Sequence, residues 1–216
     1  MIMRSLQAAL YEKLHQRAPG VDKLNRLWEA AVIVPLVETD MGLSLLFEVR
    51  SPKLKTQPGE ICFPGGKYEC VDKKFSTTAV RETCEELGRE ERDIELCGPL
   101  DCVVTHAGPI IYPYVGILRH PEKIKYNPDE VAQVFTVPLK NLLGQEPRTC
   151  MMQMADRPKE DFPFELVPYK QKEWRFHKDY ILYFYQYQDH VIWGMTGRIL
   201  YAFLRRNRNI LSEFIK

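Results

Sequence analysis

Apolar positions fall along this chain either at helical spacing or as short compact runs, and the change from one to the other divides it into elements. Residues 3–17 carry Leu6, Leu10 and Leu14 on one face, with Gln7, Glu12, Lys13 and Gln16 elsewhere, which predicts an amphipathic helix ended by Pro19-Gly20. Such a face packs on the rest of the chain, the favoured expectation, or on a second copy in a homodimer. From residue 30 the pattern shortens. Ala30–Val37 and Leu43–Val49 are compact apolar runs joined by Asp40-Met41-Gly42, so they predict a buried β-hairpin. Ile61-Cys62-Phe63 reads as a short strand stopped by Pro64-Gly65-Gly66, whose glycines let the backbone run close to a ligand or to the next helix.

A helix follows the glycine turn, with Val80, Thr83, Cys84 and Leu87 as its inward stripe. Asp93–Val104 then reads as a strand interrupted at Gly98-Pro99, and Ile110–Leu118 as another, where Pro113 suggests an edge or a bulge. Glu130–Phe135, closed by Val137-Pro138-Leu139, begins a further strand, and Lys140–Leu143 a helical turn. Residues 144–163 show no period and predict an irregular excursion that could cover a site. Tyr180–Tyr187 is an aromatic strand, and Thr196 is placed to cap a last helix, about 196–207, with Ile199, Leu200, Phe203 and Leu204 inward and Arg205, Arg206 and Arg208 at its end. Nothing repeats internally. Mixed strands with a central and a terminal helix predict one α+β domain in layers over residues 1–216.

Composition adds mainly exclusions. A hydrophobic fraction of 45% with 27% charged residues is ordinary globular composition, and a net charge of +1 gives no bulk reason to expect a nucleic acid partner. The six cysteines include no Cys-x-x-Cys pair, so they read as reduced, mostly buried thiols and not as a zinc site. The N-terminal residues contain no apolar run suited to a signal peptide or a membrane span, and the final Glu-Phe-Ile-Lys is not a Ser-Lys-Leu signal, so the expected location is the cytoplasm.

The chemistry concentrates on the central helix. At about 100° per residue, Glu82, Glu85 and Glu86 crowd one edge, where like charges repel unless something positive lies between them. A hard divalent cation answers that need, since Mg²⁺ is usually held by one or two carboxylates plus substrate phosphates. Arg81 stands four residues before Glu85 and could pair with it. The plainer alternative is a solvated charged face.

Gly66, Asp72 and the run Arg81-Glu82-Thr83-Cys84-Glu85-Glu86-Leu87-Gly88 resemble the Nudix box. The match departs from the family pattern in four places: Asp72 stands where Glu is usual, eight residues instead of seven separate it from Arg81, and Thr83 and Arg89 occupy apolar positions. Upstream, Leu45–Ser51, Lys55, Gly59 and Phe63-Pro64-Gly65-Gly66 are similar to the signature of the coenzyme A pyrophosphatase branch, as are 129–139 and 192–197 further on. Phe47, Val49 and Lys55 depart from that signature.

The resemblance implies a Nudix-type α/β/α sandwich with a mixed sheet and a central catalytic helix. It also implies hydrolysis of the pyrophosphate bond of coenzyme A or an acyl derivative, with Mg²⁺ or Mn²⁺ held by Glu82 and Glu86 and assisted by Glu85. Glu85 would act as base or as water orienter, steadied by Arg81, and the choice stays open. Arg50, Lys53 and Lys55, with Gly65 and Gly66, would meet the phosphates. A Nudix hydrolase of another nucleoside diphosphate derivative and a non-catalytic sensor of the same fold are the alternatives. His106, His177 and His190 show no ligand spacing and receive no role.

Overall fold

A computed structural model describes residues 2–14, 28–105, 109–168 and 172–215; His106, the end of the predicted N-terminal helix and Pro19-Gly20 lie outside them. The first helix, α1 (Ile2–Leu14), leaves its side chains from Ser5 to Lys13 exposed, Leu6 at 49% and Leu10 at 47%. The expected burial of this face against the rest of the chain is therefore not found for those residues.

Strands β1 (Glu29–Thr39) and β2 (Gly42–Arg50) form the predicted hairpin, paired antiparallel from Leu36↔Leu45 to Thr39↔Gly42. Away from that turn they part. The opening is filled by β3 (Ile61–Cys62), which pairs with Glu48 and Val49 of β2, and by β4 (Gly65–Lys67), which pairs with Ala30, Ala31 and Val32 of β1. The Ile33 N–H donates to Pro64 O at 2.9 Å, so the same-parity Pro35 turns its missing N–H toward the point where β1 exchanges β4 for β2.

The central helix is α2 (Phe75–Leu87), and the sheet continues with β5 (Ile94–Pro99), β6 (Val103–Val104) and β7 (Ile110–Leu118). Strand β7 runs parallel to β1 and antiparallel to β5 and β6, which makes the sheet mixed. Pro113 is thus not on an edge. Its carbonyl accepts from Leu100 N at 2.8 Å, and N–H and C=O of one residue point to the same side of a strand, so its absent donor faces the break between β5 and β6. Strand β8 (Val131–Pro138) lies along the other side of β2.

Alternation along these strands builds two cores. Ala31, Ile33 and Val37 of β1, Leu46 of β2 and Leu118 of β7 meet Ala79 and Leu87 of α2 on one face. Val34, Leu45, Phe47 and Val137 meet α3 (Leu139–Leu143) and α4 (Gly194–Glu213) on the other. The result is the expected sandwich.

Four expectations need correction. The cysteines are free but not mostly buried: Cys70, Cys97, Cys102 and Cys150 are exposed on loops and strand surfaces, and Cys62 and Cys84 are half-buried. Residues 144–163 are not wholly irregular: β9 (Arg148–Met152) pairs with β12 (Tyr180–Tyr187), which also carries β13 (His190–Ile192), while β10 (Ala155–Asp156) pairs with β11 (Arg175–Phe176). All of β9 is exposed, so no alternation marks it. Thr196 does not cap α4, which starts after Trp193; its hydroxyl instead donates to Ile61 O at 2.9 Å and ties α4 to β3. The helix also runs on to Glu213, so Arg205, Arg206 and Arg208 sit inside it, with Arg206 on Asp101 at 2.5 Å and Arg208 on Leu143 O at 3.0 Å.

Candidate active site

The wedge between β1 and β2 presents Gly65 and Gly66 directly to α2. Gly65 has φ +139, and a β-carbon there would overlap the backbone at Ala31 and Val32. At Gly66 a β-carbon would overlap the Glu82 carboxylate. Both positions need glycine, the first because of its backbone and the second because a carboxylate occupies the space of a side chain. The Gly65 N–H donates to Glu86 Oε2 at 2.8 Å, so the turn and the helix share a polar contact as well.

Arg81 organises the acids. Its Nε and Nη2 reach the two oxygens of Asp72 at 2.9 and 3.0 Å, Nη2 also reaches Glu82 Oε1 at 2.9 Å, and Nη1 reaches Glu85 Oε2 at 3.1 Å. The expected pairing of Arg81 with Glu85 is present. Asp72, which stands where the family pattern has Glu, is the buried anchor of this fork: it also accepts from Thr78 Oγ1 at 2.8 Å and Glu69 N at 3.2 Å. The Arg81 hydrogen bonds, helped by Thr78 and Glu69, hold its carboxyl down at about 2 despite burial.

The other acids are pushed the opposite way. Burial, with the charges of Glu82 and Glu130, raises Glu86 to about 8 although the Gly65 N–H favours its charged form. Glu82, half-buried, is raised by burial against the pull of Arg81. Glu85 stays at the surface with 56% of its side chain exposed. Glu130, before β8, is held by Asn127 Nδ2 at 3.0 Å, and Asn127 N donates to Glu86 O at 2.8 Å.

A further carboxylate was missed. Glu48 of β2 is 1% exposed, and even-numbered residues of β2 such as Leu46 face α2, so Glu48 looks at Glu86. Burial and Glu86 raise it well above the usual carboxylate range. Its apolar neighbours Phe47 and Val49 made the segment read as an ordinary core strand; the available signal was a lone acid inside that run.

The basic residues divide. Arg50 shares the face of Glu48, exerts its charge on Glu48 and Glu86, and directs Nε and Nη2 at Thr56 O, each at 3.4 Å. Lys53 is bound to Asp129 at 2.7 Å, and Lys55 is exposed on the loop. His177 lies against Asp156 and His190 stacks on Phe135 at 3.8 Å, both away from the acids. An open concavity of about 920 Å³ in the excursion is lined by Arg157, Phe164, Lys172 and Trp174 and by none of these acids.

Among the described residues no three His, Cys, Asp or Glu side chains are drawn together as a finished metal cage. The donor chemistry nevertheless fits a hard cation. Glu86 and Glu48 are buried carboxylates in mutual contact, Glu48 Oε1 has no hydrogen-bond partner, and Glu82 lies beside them.

Residues 27–162 match the family model described as the NUDIX domain. The peroxisomal coenzyme A diphosphatase of Mus musculus is 34% identical over 175 residues, 78% of this chain and 66% of that protein. The peroxisomal coenzyme A diphosphatase of Caenorhabditis elegans is 39% identical over 103 residues, 47% of this chain and 44% of that one. The chain thus spans less than two thirds of the length of either relative. Among solved structures, a MutT/nudix family protein from Enterococcus faecalis superposes with a TM-score of 0.50 at 15% identity, covering 94% of this chain and 70% of that one, a likeness of fold. With 136 of its 216 residues under the family model, and the glycine turn, Arg81 fork and helix acids assembled where that model falls, the chain belongs to the Nudix family.

Proposed function

We propose that this protein hydrolyses the pyrophosphate bond of coenzyme A or an acyl-coenzyme A, giving adenosine 3′,5′-bisphosphate and 4′-phosphopantetheine or its acyl form. The observation that carries the reading is the seating of Glu82 and Glu86 on Gly65–Gly66, with Arg50 on the same face of the sheet. Phosphoryl chemistry asks for charge neutralisation and a positioned water more than for covalent catalysis. Mg²⁺ or Mn²⁺, when bound, polarises phosphoryl oxygens and lowers the pKa of a coordinated water. Glu82 and Glu86 are its proposed ligands.

Glu85 is the proposed group for the attacking water. Its tie to Arg81, which is itself fixed by Asp72, favours an orienter over a base, since a carboxylate held by a guanidinium is the poorer proton acceptor. The bare Gly66 leaves room for the Glu82 carboxylate to lie against the backbone of the turn, where a bound cation would bring it and the substrate phosphates together. Arg50 and Lys55 are proposed to meet the phosphates of the nucleotide, while Lys53 shares its charge with Asp129. The names of the mouse and nematode relatives support coenzyme A as the substrate class over other nucleoside diphosphate derivatives.

The direct test incubates the protein with Mg²⁺ or Mn²⁺ and coenzyme A, dephospho-coenzyme A, NADH, ADP-ribose or a diadenosine polyphosphate, and separates the products. Coenzyme A should be cleaved with the highest kcat/KM, ahead of dephospho-coenzyme A. Preference for another member of the panel would overturn the substrate, and no cleavage of any would favour a sensor. Among the described residues no helix is long and apolar enough to cross a membrane. The proposed location is the cytoplasm, against the peroxisome in the names of both relatives, and fractionation beside a peroxisomal marker decides between them.

A further inference from the structure

Glu48 takes no part in the chemistry above, yet its position is costly to hold. Its side chain is buried in the middle of the sheet, Oε1 has no hydrogen-bond partner, and the group within reach of Oε2 is the Cys62 thiol at 4.0 Å, too distant to repay the lost water. An acid so placed is satisfied by a cationic side chain, a shared proton or a metal ion.

The cationic side chains nearby give their hydrogen bonds to other groups, and only the charge of Arg50 acts on Glu48 and Glu86. Arg50 turns its guanidinium to Thr56 O, Lys53 is bound to Asp129, and Arg81 is divided among Asp72, Glu82 and Glu85. Glu48 instead meets the carboxyl of Glu86, which reaches it from α2 while resting on the Gly65 N–H. Two acids thus come together from opposite sides of the wedge, one from a sheet and one from a helix, and one keeps a free oxygen in a site closed to bulk water. Oxygen donors on two rigid elements are what an oxygen-seeking divalent cation requires.

We propose that Glu48 is a further carboxylate ligand of the divalent metal site, taking the cation jointly with Glu86 through its unpartnered Oε1. This rests on the reading that Glu82 and Glu86 hold metal. It adds a ligand from β2, outside the box on α2, so the metal would join the central sheet to the helix. The rival account is a structural pair of carboxyl groups sharing one proton, with no part in metal binding.

The full chain, stripped with a chelator, is titrated with Mn²⁺ alone by calorimetry and melted with and without Mn²⁺, with no substrate present. Glu48→Gln should weaken Mn²⁺ binding tenfold or more, keep a metal-free Tm no lower than the unaltered chain, and show a smaller rise in Tm on adding Mn²⁺. Glu48→Met, of similar length and without charge or donor, should do the same. Binding within about twofold of the unaltered chain in either folded variant overturns the proposal, as does a lower metal-free Tm with an undiminished metal response. Failure of both variants to fold also overturns it, since the acid would then be structural. Glu86→Gln in the same titration separates the two readings: loss there with none in Glu48→Gln removes only Glu48, whereas an unaltered chain that binds no Mn²⁺ removes the metal reading itself.

Discussion

Arg81 shows how one side chain can set the geometry of several. Its fork on Asp72 is bidentate and mostly shielded, so its remaining N–H groups are aimed at Glu82 and Glu85 with little rotational freedom. Asp72→Asn should cost about 1–3 kcal/mol of stability, because a buried charged hydrogen-bond pair is broken on one side. The sign of its pH dependence follows from the lowered folded pKa of about 2 against an ordinary 3.8. The contribution is fully present above about pH 4 and fades as pH falls toward 2, so the stability gap between Asp72→Asn and the unaltered chain, followed by urea melts, should narrow in that window. Among the basic residues, Arg50→Ala should lower kcat/KM by the equivalent of about 1–3 kcal/mol if it meets a phosphate out of bulk water. The exposed Lys55 should lose less in Lys55→Ala and keep most of its effect in Lys55→Arg. A larger loss at Lys55 than at Arg50 would reverse that assignment.

At the scale of elements, the wedge of β3 and β4 makes two neighbouring glycines behave differently. In Gly66→Ala the new methyl meets the far end of Glu82, which can swing aside, so the fold should survive with a small loss of Tm while metal-dependent turnover falls sharply. In Gly65→Ala the methyl meets the backbone of β1 at a positive φ, which cannot yield, so destabilisation of several kcal/mol should dominate. Parallel melts and assays check both, and equal loss of Tm in the two variants would refute the distinction. The elements legible in the sequence are those with a compact apolar or aromatic run: β1, β2, β7 and β12 fall within about two residues of theirs. Strand β9 faces solvent throughout and has no such mark, and α4 runs past its expected end because Leu211, two turns beyond Leu204, carries the apolar stripe on into the core with no Gly or Pro to break it. In the site, the helix acids and the Arg81–Glu85 pair were readable because local spacing sets them. Glu48 and the anchoring of Arg81 by Asp72 were not, since each depends on how the sheet and the loop before α2 fold back.

For the whole molecule, the raised Glu86 predicts a stability that depends on metal and pH together. In the folded chain without metal, burial and mutual repulsion keep a proton on the Glu48–Glu86 pair well above the usual carboxylate range and up toward pH 8, while the unfolded chain releases it near 4.5. The folded state then binds more protons in between, so metal-free stability from this group falls as pH rises through that range. Melting temperatures taken from pH 5 to 8 should decline without metal and decline less with saturating Mn²⁺, which holds the ionised form. A metal-free profile that rises over that range would refute the dominance of Glu86.

The parting of β1 from β2 also bears on how the chain reaches this state. Their closed end is local, a tight turn between Thr39 and Gly42, but the open end waits for residues 61–67, and the far flank of β1 waits for β7 to arrive from Ile110 onward. Contacts between segments so distant in the chain are slow to form, and the wedge cannot close until strands on both sides are in place. The pairings of β7 with β1 and of β8 with β2 span the longest stretches of chain, so the sheet around the glycine turn should be completed late, and the site with it. Nascent or heat-stressed chains would pass through a compact but catalytically silent species, visible in refolding experiments as activity that lags behind the recovery of secondary structure.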